Sequence, residues 1–118
     1  MARTTPTVWV RWWGSETRAE VHLCGGPETD IRLDSPAWLA WLEAPTTSSF
    51  AYPVYDPQVG YIQGFMTVRK EKRRRGSHYW VAYRRTGGGL RKIYLGKSTE
   101  LTQRDLAVTA ERFLAMDV

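Results

Sequence analysis

Apolar and polar positions along this chain change period several times, and each change marks an element. Residues 7–13 (Thr-Val-Trp-Val-Arg-Trp-Trp) are rich in β-branched and aromatic side chains, the composition of a strand. Gly14-Ser15 and a second such run over 19–24 predict a hairpin, which Gly25-Gly26-Pro27 breaks. A third short strand is predicted over 30–33, ending where Asp34-Ser35-Pro36 offers a capping side chain followed by proline at the first helical position. A helix then follows over 36–44. Its Trp38, Leu39, Trp41 and Leu42 stand three and four apart, an apolar stripe expected to pack on the hairpin. Pro45 stops it. Residues 46–64 hold two prolines, several tyrosines and no clear period, and predict a covering loop with at most a short strand near 50–52.

The second half has a clearer pattern. Residues 65–72, 78–85 and 90–96 have strand composition, and Thr86-Gly87-Gly88-Gly89 between the last two suits a tight hairpin that needs positive φ. A final helix opens at Leu101-Thr102-Gln103-Arg104-Asp105-Leu106. There Thr102 can cap, Asp105 faces the positive end of the helix dipole, and Leu101 and Leu106 can close a hydrophobic staple. The predicted class is α+β: an N-terminal β-hairpin with short strands plus a helix, then a three-stranded antiparallel sheet packed by a C-terminal helix. One domain over 1–118 is expected, with an aromatic-rich half (1–64) and a basic half (65–118). On the second strand of that sheet Tyr79, Val81, Tyr83 and Arg85 share one face, while His78, Trp80, Ala82 and Arg84 share the other. Trp80 is expected to turn to the helix and the tyrosines to solvent.

Composition adds that the chain should fold, because 42% of its 118 residues are hydrophobic and six are tryptophan, more apolar mass than a disordered chain carries. Trp9, Trp12, Trp13, Trp38 and Trp41 are expected to be core in a small domain, ahead of forming a recognition surface. Cys24 stands alone, which excludes an intramolecular disulfide and a cysteine-based metal cluster and suits a reducing compartment. No apolar run is long enough for a membrane span, and the opening Met-Ala-Arg-Thr-Thr-Pro lacks a secretory apolar stretch. A cytoplasmic protein with no membrane partner is expected.

Charge distribution carries the functional information. From Arg69 to Lys97 there are eleven cationic residues against Glu71 alone, a net +10, so the rest of the chain carries −5 of the +5 total. Positive charge segregated in this way presents an electropositive face to polyanions. The candidate nucleic-acid-binding residues are Arg69, Lys70, Lys72, Arg73, Arg74, Arg75, Arg84, Arg85, Arg91, Lys92 and Lys97, interleaved with Tyr79, Tyr83 and Tyr94. Arginines and lysines supply phosphate contacts and bidentate donors to guanine edges, and flat rings touch sugars or stack on bases. A solubilising loop at 73–75 and inert Tyr–Arg cross-strand pairs are the ordinary alternatives.

Other chemistry is weakly represented. Gly96-Lys97-Ser98-Thr99 ends like a phosphate-binding loop, but the glycine needed five positions earlier is Arg91. His22 and His78 are the only histidines, no ligand cluster has metal spacing, and no nucleophile motif is present. Neither an enzyme nor a metal or other cofactor is expected.

An ordered set of motifs resembles the N-terminal domain of bacterial MalT-like regulators of the LuxR family: Ala37-Trp38-Leu39-Ala40-Trp41-Leu42, Thr47-Ser48-Ser49-Phe50, Val68 to Gly76, Tyr79-Trp80-Val81-Ala82-Tyr83-Arg84, Leu90-Arg91-Lys92-Ile93-Tyr94-Leu95-Gly96 and Glu100-Leu101-Thr102. Those regulators continue into an ATPase module, helical repeats and a helix-turn-helix, whereas this sequence ends at Val118. The resemblance thus implies a regulatory context in transcription and no DNA-reading role residue by residue. Three strands followed by a helix also resemble, in architecture alone, the arm-binding domain of phage-type integrases and the plant ethylene-response-factor domain, whose sheets dock in the major groove. The expected function is double-stranded DNA binding by the basic aromatic sheet of a small regulatory protein. A protein-interaction or assembly module, including a homodimer, is the alternative, and RNA or single-stranded binding is a variant of the first.

Overall fold

The computed structural model describes residues 6–13, 18–24, 30–72 and 76–116. The elements run β1 (Thr7–Trp13), β2 (Arg18–Cys24), β3 (Asp30–Arg32), α1 (Pro36–Glu43), β4 (Ser49–Asp56), β5 (Tyr61–Lys72), β6 (His78–Thr86), β7 (Gly89–Gly96), a 3₁₀ turn at Ser98–Glu100 and α2 (Gln103–Met116). The class is α+β, with one mixed seven-stranded sheet in the order β3-β2-β1-β4-β5-β6-β7 in place of a separate three-stranded one. All pairings are antiparallel except β1 with β4, a parallel bridge at Thr7 and Ala51. Of Trp9, Trp12 and Trp13 only the backbone is described.

The covering loop expected over 46–64 is instead the β4–β5 hairpin, and this corrects the strand count. Phe50, Tyr52 and Val54 alternate inward and are buried, a period-2 signal that Pro53 in their midst obscures. The proline is tolerated because of where its missing N–H would point. Ala51 N donates to Pro6 O at 2.8 Å on the β1 side, and the strand period turns position 53 to that same side, where the β1 ladder has already ended at Thr7. Asp56 and Gly60 close the turn. Asp56 Oδ1 accepts from Gln58 N at 2.9 Å, and Gly60 adopts φ +83°, the left-handed region open to glycine.

Both helices start as their sequences indicate. Ser35 caps α1 by accepting from Trp38 N at 3.2 Å, with Pro36 in the first turn. Thr102 Oγ1 accepts from Asp105 N at 3.2 Å at the start of α2. Trp38 ties the two halves together: it lies edge-on to Phe50 at 5.3 Å, stacks with Trp41 at 5.7 Å, and donates from Nε1 to Leu101 O at 2.7 Å. Buried residues of β1, β2, α1, β4, β5, β6, β7 and α2 form one cluster, from Val8 and Leu23 through Phe50, Met66, Val68, Trp80 and Ile93 to Leu106 and Phe113. No described helix is long and apolar enough to cross a membrane.

Candidate nucleic-acid interface

The strand register sorts the basic half into two faces. Val68 pairs with Ala82 and Ala82 with Ile93, and all three join the core under α2. Trp80 lies on that side, fully buried, donating to Ser98 Oγ at 2.9 Å. Gly96-Lys97-Ser98-Thr99 is thereby a structural turn in which Ser98 receives an indole and Lys97 N donates to Glu100 Oε2 at 3.0 Å.

Among the described residues, no helix packs on the other face of β5–β7. Its cross-strand rows are Ser49–Arg69–Val81–Tyr94, Ala51–Thr67–Tyr83–Lys92 and, at one end, Glu71–Tyr79. Arg85 and Leu90 pair beyond Tyr83 at the other end, on the same side as Phe65. Six of the candidate residues are therefore brought together: Arg69, Tyr79, Tyr83, Arg85, Lys92 and Tyr94. Arg69, Arg85, Lys92 and Tyr94 are exposed, Tyr94 by 55%. Tyr79 and Tyr94 stand 5.5 Å apart, and the Arg69 guanidinium lies 6.0 Å from the Tyr83 ring centre.

The remaining candidates are elsewhere. Lys70 turns to the helix side, where Nζ donates to Ala44 O at 3.1 Å and lies 5.5 Å from the Trp80 ring. There it meets the last carbonyls of α1, a favourable place for a cation, and burial lowers its pKa. Lys72 shares its parity at the exposed end of β5. Arg84 and Arg91 are direct partners on the helix side near the β6–β7 tip, with Arg84 Nη2 reaching Gln63 O at 3.5 Å. Lys97 is exposed between β7 and the 3₁₀ turn. Arg73, Arg74 and Arg75 lie outside the described residues.

Three residues of the open face were not singled out in the sequence. Phe65 and Leu90 are large apolar groups exposed by 43% and 62%, and Glu71 is the one carboxylate on the open face of β5–β7. Counting in twos from Arg69 finds both Glu71 and Phe65. The Tyr83 hydroxyl donates to Glu71 Oε1, and that bond raises the Tyr83 pKa, with desolvation a smaller contribution. The described residues contain no cluster of His, Cys, Asp or Glu able to hold a metal ion. Comparison with protein-family models, curated proteins and solved structures returned no match.

Proposed function

We propose that this protein binds nucleic acid, double-stranded DNA first, across the open face of β5–β7, without catalysing a reaction on it. The observation that carries this reading is the register, which gathers Arg69, Arg85 and Lys92 with three tyrosines on the one face of these strands that neither helix covers. Cations at this density meet phosphates, while the rings between them meet sugars or bases. The likeness to MalT-like regulators supports the further proposal that this binding serves transcription regulation in a bacterial cytoplasm. Fluorescence-anisotropy titration against duplex DNA, single-stranded DNA and RNA at two salt concentrations tests it. Binding that weakens steeply with salt is expected, and no binding to any of the three at low salt would refute it.

Two other readings have observations of their own. Rings lying among cations also suit unpaired bases, which favours single strands. Tyr55, Val59, Tyr61 and Ile62, all exposed at the β4–β5 tip, favour a protein partner at that end. Capture of one specific protein at a salt concentration that strips nucleic acid would support the partner.

A further inference from the structure

Glu71 is misplaced if the open face only attracts phosphate, because a carboxylate among cations opposes a polyanion. Its geometry gives it another task. Tyr83 pairs with Thr67, whereas Glu71 is four residues further along β5 and pairs with Tyr79. Four residues of strand span about 13 Å, yet the Tyr83 hydroxyl reaches Glu71. Both side chains must therefore lie along the sheet instead of standing off it, bridging the intervening row of Arg69 and Val81. Val81 fits this arrangement: it lies on the open face yet is only 5% exposed. A tyrosine laid down in this way and pinned at its hydroxyl has its ring fixed along the sheet, with the Arg69 guanidinium over it, 6.0 Å from the ring centre.

We propose that Glu71 is a positioning residue that holds Tyr83 flat as a stacking platform for an unpaired base, so that single-stranded nucleic acid is a ligand of this face. The inference rests on the nucleic-acid reading and names the strand state that one of its sites takes. The carboxylate opposes phosphate, and in exchange it fixes a ring whose face accepts any base.

The test exploits opposite signs. If Glu71 acts only as a charge, Glu71→Gln and Glu71→Ala both remove one negative charge and tighten binding equally. If it positions Tyr83, Gln keeps an acceptor for the hydroxyl and Ala does not. The probe is a fluorescein-labelled 20-nucleotide oligo(dT), titrated by anisotropy with the full chain, alongside a 20-base-pair duplex. Glu71→Ala is expected to bind oligo(dT) about 5-fold or more weakly than Glu71→Gln, as loosening of one stacked base implies. The salt slopes of the two variants should be equal, since no phosphate contact differs between them. Tyr83→Phe, which keeps the ring and loses the pin, should weaken oligo(dT) binding as Glu71→Ala does. The duplex should not separate the two Glu71 variants. Equal tightening of oligo(dT) binding by both Glu71 variants, or unchanged binding by Tyr83→Phe, would overturn the inference and leave the nucleic-acid reading standing. Failure of the unaltered protein to bind either probe at low salt would overturn both.

Discussion

Replacing Trp38 by phenylalanine removes one buried hydrogen bond and part of one ring at the point where the two halves of the chain meet. Trp38 is 3% exposed, and its Nε1 donates to the Leu101 carbonyl at 2.7 Å. Without the indole N–H that carbonyl loses its partner in a buried site, at a cost of about 1–3 kcal/mol. The smaller ring leaves a gap beside Trp41 and Phe50, for roughly another 1–2 kcal/mol. The sum, about 2–5 kcal/mol, is a large share of the roughly 5–15 kcal/mol that holds a domain folded. With a urea slope near 2 kcal/mol per molar, the midpoint should fall by about 1–2.5 M. Trp41→Phe is the control, because Trp41 is half-buried and a phenyl ring can keep its contacts with Trp38 and Phe50. It should cost under about 1 kcal/mol. A Trp38→Phe loss no larger than that of Trp41→Phe, with unchanged slope in both, would refute the assignment of Trp38 as the clasp.

Three further outcomes are expected. Burial pushes the Tyr52 pKa up to about 12, with the nearby Asp34 charge adding to the rise. A folded pKa above the unfolded value of 10.0 gives stability that is full below pH 10 and lost as pH rises through 12, about 2–3 kcal/mol in all. Tyr52→Phe should therefore flatten the alkaline unfolding curve between those pH values, and an unchanged curve would count against it. Gly96 has φ +111°, and a Cβ there would collide with Glu100 Oε2, which caps Lys97 N. Gly96→Ala should cost about 2 kcal/mol or more by thermal unfolding, whereas Gly60→Ala, with the same sign of φ and open space, should cost about 1 kcal/mol. Lys70→Met, which removes the cation at the end of α1, should lower stability while leaving nucleic-acid affinity within about 2-fold, since Lys70 faces the core side. A larger loss of affinity would move Lys70 into the interface.

Much of the fold is legible from local chemistry. Ser35-Pro36 and Thr102 mark the helix starts because capping is a local hydrogen bond that short sequence records. Gly87 to Gly89 mark the β6–β7 turn for the same reason. The β4–β5 hairpin is not legible, because Pro53 reads as a strand breaker until the neighbouring ladder is known to stop at Thr7. For the site, alternation alone separates Tyr79, Tyr83 and Arg85 from Trp80 and Arg84. Which set faces outward depends on the side that α2 covers, since both carry aromatic rings. A run of basic residues hides that split: charge is additive along the sequence, whereas the strand deals Arg69 and Lys70, or Arg91 and Lys92, to opposite sides. Glu71 is invisible as a site residue for a related reason, because its partner Tyr83 is twelve residues away.

Two neutralising pairs, compared at equal net charge, test the central claim most directly. Arg69→Gln with Lys92→Gln removes two cations from the open face, and Arg104→Gln with Arg112→Gln removes two exposed cations from α2 on the opposite side. Titrated against the same labelled duplex DNA by anisotropy across a salt series, the open-face pair should weaken binding by about 10-fold or more and lower the salt slope by about 2. The α2 pair should leave both nearly unchanged. Equal effects from the two pairs would contradict docking by the open face of β5–β7 and leave only unspecific attraction to a basic protein.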